Sequence, residues 1–76
     1  MKKGKRMREF EYILMIAKEK TISRAAEKLF ISQPALSRYL KKTEKKLGIN
    51  LFESVGKELH LTYAGERYVK AAEQIE

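Results

Sequence analysis

Residues 22–48, ISRAAEKLFISQPALSRYLKKTEKKLG, constrain this chain more than any other stretch, because they spell two helices joined by a turn too short to let them separate. Each helix is expected to open on a serine, Ser23 for the first and Ser32 for the second, whose hydroxyl accepts from an otherwise unpaired amide of the first turn. Only residues 29–31 or so lie between them. Ile31 precedes the second cap and Leu36 lies four positions into the helix, the spacing of a hydrophobic staple that fixes the angle of entry. Pro34 lacks an amide that the first turn would leave unpaired anyway. Gly48 supplies a left-handed residue to end the helix after Leu47.

The second helix has two different sides. Leu36, Leu40 and Leu47 follow the spacing of one buried stripe, with Thr43 at the intermediate position where an apolar residue is expected. Gln33, Ser37 and Arg38 project elsewhere, followed by Lys41, Lys42, Lys45 and Lys46, with only Glu44 opposing their charge. A helix N-terminus favours an anion. Glutamine can bind adenine through two hydrogen bonds and arginine can bind guanine or phosphate, while lysines hold a phosphate backbone. A plain solvated, lysine-rich face is the competing interpretation. Short turn, two serine caps and polar first turns together favour a helix-turn-helix instead.

At these residues a family resemblance becomes specific. Ser23-Arg24-Ala25-Ala26, Leu29, the run from Ile31-Ser32-Gln33-Pro34 through Ala35-Leu36-Ser37-Arg38, then Glu44, Leu47-Gly48, Leu51-Phe52-Glu53 and Leu61-Thr62-Tyr63-Ala64-Gly65 resemble the N-terminal DNA-binding domain of LysR-type transcriptional regulators. The resemblance covers nearly the whole chain. It implies a mainly α fold with a small β-hairpin wing, a winged helix-turn-helix followed by a linker helix that pairs two subunits. It also implies that Ser32, Gln33, Pro34, Ser37 and Arg38 face the major groove or its phosphates. Three positions depart from the family pattern: Thr43 stands where leucine is usual, Tyr39 where a long polar residue is frequent, and Ser54 where the wing usually carries arginine.

Seventy-six residues make one domain at most. A domain of that size buries only about 60% of its unfolded surface, so its stability should be modest. A formal charge of +7 suits a polyanionic partner, although charge alone does not separate nucleic acid from an acidic membrane. With no cysteine there is neither a disulfide framework nor a thiolate zinc site. No apolar run approaches the roughly 18 residues of a membrane span, and no secretory signal opens the chain. The expected location is the cytoplasm, on the bacterial nucleoid when bound to DNA.

The flanks serve the helix pair. Residues 1–5 are expected to form a flexible basic arm, with Gly4 interrupting any early helix; such an arm is either a mere tail or a nonspecific phosphate contact. A helix from about Arg6 follows, its core stripe formed by Phe10, Ile13, Leu14 and Ala17. Tyr12, Met15 and Ile16 widen that apolar surface, for the core or for the C-terminal helix. In the next helix Ala25, Ala26 and Leu29 fall where two helices must approach closely, while Arg24 is either a phosphate contact or simple surface charge.

Beyond Gly48 the period changes from helical to alternating. Residues 51–53 and 58–61 read as two short strands around a turn at 54–57, with Leu59 and Leu61 inward and Glu58 and His60 outward. This is the expected wing, and Lys57 at its tip is a candidate phosphate contact. Thr62 is expected to cap a final helix on which Ala64, Tyr68, Ala71 and Ile75 make a stripe, with Val69 and Ala72 beside it. Ala64, Tyr68, Ala71, Ala72 and Ile75 are therefore the candidate dimerisation residues. Residues 1–61 form the expected winged DNA-binding domain and residues 62–76 the start of the linker helix; the chain is expected to be either a fragment, whose dimer should be weak, or a standalone protein with no small-molecule sensor.

Together these features predict sequence-specific double-stranded DNA binding by a dimer on an interrupted inverted repeat, one recognition helix, residues 33–47, per half-site. Gln33, Pro34, Ser37 and Arg38 are the expected base-reading residues. Ser23, Arg24, Ser32, Lys41, Lys42 and Lys57 are the expected backbone contacts. The alternative is a winged-helix protein-interaction module that binds no DNA. No catalytic residues, metal site, cofactor or membrane role is expected, and any effector molecule would act through a domain outside these residues.

Overall fold

The computed structural model describes residues 4–74, with side chains from residue 10 onward. Four helices and one hairpin follow in the order α1 Gly4–Glu19, α2 Ile22–Leu29, α3 Gln33–Leu47, β1 Phe52–Val55, β2 Glu58–Leu61 and α4 Tyr63–Glu73. This is the mainly α winged fold expected from the sequence. Residues 1–3 of the proposed arm lie outside the described residues. Gly4 does not interrupt a helix but begins one, a place where glycine costs little because its penalty belongs to helix interiors.

The core forms where α1, α2 and α3 meet the base of the hairpin. Ile13, Ile16, Ala25, Leu36 and Leu51 are fully buried, with Ala26, Leu40 and Phe52 nearly so. Burying each of the larger aliphatic side chains contributes about 1.5–3 kcal/mol. The stripe on α1 is turned from the expected one: Ile13 and Ile16 are its most buried residues, while Phe10, Leu14 and Ala17 are half-buried. Neighbours on two sides explain the shift. Tyr12 meets Tyr39 of α3 edge to face at 4.8 Å, and Phe10 meets Tyr68 of α4 in the same manner at 6.0 Å. The wide apolar surface of α1 is thus used within the chain, and Tyr39 has an aromatic partner inside the fold.

The caps reveal one correction. Thr21, not Ser23, is the N-cap of α2: its hydroxyl accepts from the Arg24 amide at 3.1 Å. The helix begins before Ser23 because Lys20 takes a left-handed conformation, φ 67°, and turns the chain sharply out of α1. The Lys20 carbonyl then accepts from the Leu59 amide at 2.8 Å, tying this turn to the hairpin. Ser32 caps α3 as expected, accepting from the Ala35 amide at 3.2 Å. Phe30, at φ 60°, makes the turn between the two helices, and Gly48, at φ 74°, ends α3.

A second correction concerns the end of α3. Leu47 was expected in the buried stripe but is 43% exposed, because the last turn runs past the elements that cover Leu36 and Leu40. The hairpin is also longer than its sequence pattern suggested. Ser54 and Val55 belong to β1, pairing with Leu59 and Glu58, so the turn is only Gly56 and Lys57. Gly56 at φ 65° supplies the positive φ that a two-residue hairpin turn needs at its first position. Thr62 caps α4 by accepting from the Gly65 amide at 2.9 Å, and its own hydroxyl donates to the Asn50 carbonyl at 2.6 Å.

Candidate nucleic-acid interface

The chemistry of α3 is set by which residues its packing leaves outside. Leu36 and Leu40 point into the core, so the opposite side carries Pro34, Arg38, Lys41 and Lys45, all exposed. Gln33 is exposed and Ser37 half-buried on the edge facing α2. Packing α3 against α2 brings Ser23 and Gln33 together: the Gln33 Nε2 donates to the Ser23 Oγ over a long 3.4 Å. Ser23, freed from capping, therefore becomes a neighbour of the expected base-reading glutamine. Ile22, Gln33, Pro34 and Ser37 line one shallow, open depression where the N-termini of α2 and α3 converge.

The lysines divide into two groups. Lys41 and Lys45 border a polar depression with Gly48, Ile49 and Asn50. Lys42 and Lys46 border a different groove, floored by Phe10, Tyr39, Leu47 and Tyr68. All four are exposed, as is Arg24 on α2. The result is a cationic surface along the length of α3, suited to a polyanion.

Glu44 does something the sequence pattern did not disclose. Its carboxylate turns inward and its Oε2 accepts from the Leu51 amide at 2.7 Å and the Phe52 amide at 3.4 Å. The one acid among the α3 lysines is thereby occupied in fastening the hairpin to the helix. Its signal in the sequence was its isolation: a single carboxylate among four lysines, one turn before the terminating glycine.

On the hairpin, Lys57 is exposed in the turn itself. Glu58 and His60 pair at 2.8 Å between Oε1 and Nε2. That hydrogen bond lowers the Glu58 carboxyl from its ordinary pKa of 4.5, with smaller contributions from the charges of His60, Lys20 and Arg24. Glu58 and His60 face outward as expected, while Leu59 and Leu61 pack against the core.

The proposed dimerisation residues are not equivalent. Ala64 is half-buried, Tyr68 rests on Phe10, and Ala71 is exposed. Ala72, expected to await a partner, is only 6% exposed because this chain already covers it. Ile75 lies outside the described residues. Tyr63 is 75% exposed at the start of α4, with the Arg67 guanidinium 5.9 Å from its ring centre.

Two helices at a tight turn, the second with a polar exposed N-terminus, followed by a hairpin fastened to its end, make this a winged helix-turn-helix protein. The family described as bacterial regulatory helix-turn-helix proteins, lysR family, matches residues 7–66, and the chain belongs to it. It is 43% identical over 70 residues to the HTH-type transcriptional regulator BsdA of Bacillus subtilis, and 34% identical over 73 residues to the HTH-type transcriptional activator CmpR of a Synechocystis strain. These alignments cover 91% and 96% of the chain but 24% of each relative, so the chain spans about a quarter of their length. Among solved structures it resembles the BenM DBD in complex with benA site 1 DNA, with a TM-score of 0.85 and 32% identity over 91% of this chain and 80% of that one.

Proposed function

We propose that this chain is the sequence-specific double-stranded DNA-binding domain of a LysR-type transcriptional regulator, with α3 lying in the major groove. The observation that carries this is the outward side of α3: Gln33, Pro34 and Arg38 exposed at its first turns, with four exposed lysines behind them. Solved relatives of the same fold bound to DNA support the same reading. Gln33, Pro34, Ser37 and Arg38 approach base edges. Ser23, Arg24, Ser32, Lys41 and Lys42 hold the flanking backbone, with Lys57 reaching it from the hairpin turn. Glu44 fixes the hairpin relative to α3, so that helix and wing meet the duplex as one rigid surface.

Two copies pair through α4, using Ala64, Tyr68 and Ala71, with Ile75 as a further candidate, and read an interrupted inverted repeat. Ala72 serves the interior of each copy. Because the packing on α4 is partly spent on α1, the pairing is weak in this length of chain. No helix among the described residues is long and apolar enough to cross a membrane. The proposed DNA reading puts the protein in the cytoplasm, on the nucleoid when bound. Selecting bound duplexes from a random pool tests the whole reading. Enrichment of two related half-sites with fixed spacing is expected; recovery of no preferred sequence contradicts base reading, and absence of any shifted duplex at low salt favours a protein-interaction module.

A further inference from the structure

The last turns of α3 overhang the core and leave a groove between three helices. Phe10 of α1, Tyr39 and Leu47 of α3 and Tyr68 of α4 form its apolar bed, with Lys42 and Lys46 on its rim. Its volume is about 300 Å³, and no carboxylate is among the described residues that line it. Leu47 stays 43% exposed beside the rings. The side of α3 assigned to DNA does not include this groove. Tyr39 and Lys46 follow Arg38 and Lys45 by one position each, which is about 100° of helix. They stand on the flank of α3, with Lys42 at the boundary between the two surfaces. Lys46 has no part in the proposed DNA contacts.

An apolar bed under a cationic rim suits an anionic amphiphile. Lys42 and Lys46 are four residues apart, so they repeat at one turn of helix, about 5–6 Å. A small molecule with a single carboxylate engages one of them and leaves the open side of the groove wet. A second copy of this chain brings a further charge of +7 to a surface that is already positive. A helix with two carboxylates one turn apart and large aliphatic side chains beside them matches both cations and the bed. We propose that this groove is the docking site for an acidic amphipathic helix of a partner protein. Docking there leaves the outward side of α3 open, and the site does not depend on the DNA reading.

The test titrates the isotopically labelled full chain with a short synthetic helix that carries two glutamates one turn apart and two leucines beside them, followed through backbone amide NMR shifts. Saturable shifts centred on Thr43, Leu47 and Tyr68 are expected. Lys46→Glu should weaken binding about five-fold, the upper range for one exposed ion pair, and exchanging a glutamate of the peptide for lysine should restore the affinity of that variant. Leu47→Ala should weaken binding without altering its salt dependence. Both residues are exposed, and a thermal melt monitored by circular dichroism confirms that each variant is folded. Absence of saturable shifts overturns the site, as does equal binding to Lys46→Glu. Shifts centred on Pro34 and Arg38 also overturn it, because the peptide is then held by charge on the side assigned to DNA. Groove shifts that appear when the chain alone is concentrated give the groove to a second copy and overturn the proposed partner.

Discussion

The Glu44 carboxylate accepts from the Leu51 amide at 2.7 Å, joining the last turns of α3 to the first residue of the hairpin's base. This side chain fastens the base of the hairpin to α3, alongside the Leu59 amide bound to the Lys20 carbonyl and the packing of Leu51 and Phe52 in the core. Removing it in Glu44→Ala leaves two partly buried amides, those of Leu51 and Phe52, without an acceptor. The expected cost is about 1–3 kcal/mol, read as a lower urea midpoint with an unchanged slope. Retention of wild-type stability would show that water replaces the carboxylate and that the wing is held by packing alone.

Gly65 marks a close approach of α4 to Leu51 and Leu61. A Cβ added there would lie 2.0 Å from the Leu51 carbonyl oxygen and 3.0 Å from the Leu61 side chain. Backbone cannot yield as a flexible side chain would, so Gly65→Ala must displace α4. The expected loss is about 3 kcal/mol or more, at the upper end of overpacking effects, measured by chemical denaturation. A loss under about 1 kcal/mol would mean that α4 is not seated on Leu51.

Acid should act on the hairpin through Glu58. Its folded pKa is depressed, chiefly by the hydrogen bond from His60, so the favourable pairing is present above the ordinary value of 4.5 and is lost as pH falls through the lower folded value. In a carboxyl-carbon NMR titration Glu58 should therefore give a midpoint below 4.5, and His60→Ala should move it upward. A midpoint unaffected by that substitution would assign the shift to Lys20 and Arg24 instead.

Base-reading and backbone residues should separate by their dependence on sequence and salt. Arg38→Ala should cost about 1–3 kcal/mol on the selected duplex and relax preference at one base pair. Lys41→Ala and Lys42→Ala should weaken every duplex similarly and lower the slope of log affinity against log salt by about one unit each. Because these lysines border different grooves, the slope also shows which side of α3 follows the phosphates. The lysine whose removal leaves the slope unchanged is not a backbone contact.

The sequence disclosed elements better than the contacts between them. Ser32, Pro34, Gly48 and Thr62 act within a few residues of themselves, so their caps and stops were visible in the local pattern. The local pattern favours Ser23 as a cap because serine is the better cap of the two; the left-handed Lys20, which decides in favour of Thr21, has no strong residue signature. Leu47 and Ala72 depended on where neighbouring elements stop, which periodicity does not encode. The inward turn of Glu44 and the Ser23–Gln33 contact join residues seven or more apart, and only the assembled helices bring them together.

The most direct measurement of whether α3 enters the major groove is binding to the selected duplex with purines replaced, one at a time, by their 7-deaza analogues. These lack only the N7 acceptor, an atom that faces that groove. The expected result is a loss of affinity confined to a few purines in each half-site, with one of these losses abolished in Arg38→Ala or Gln33→Ala. Equal affinity at every substituted position, on a duplex the chain still binds selectively, would show that no purine N7 is read and contradict the base contacts assigned to Gln33 and Arg38 at the start of α3.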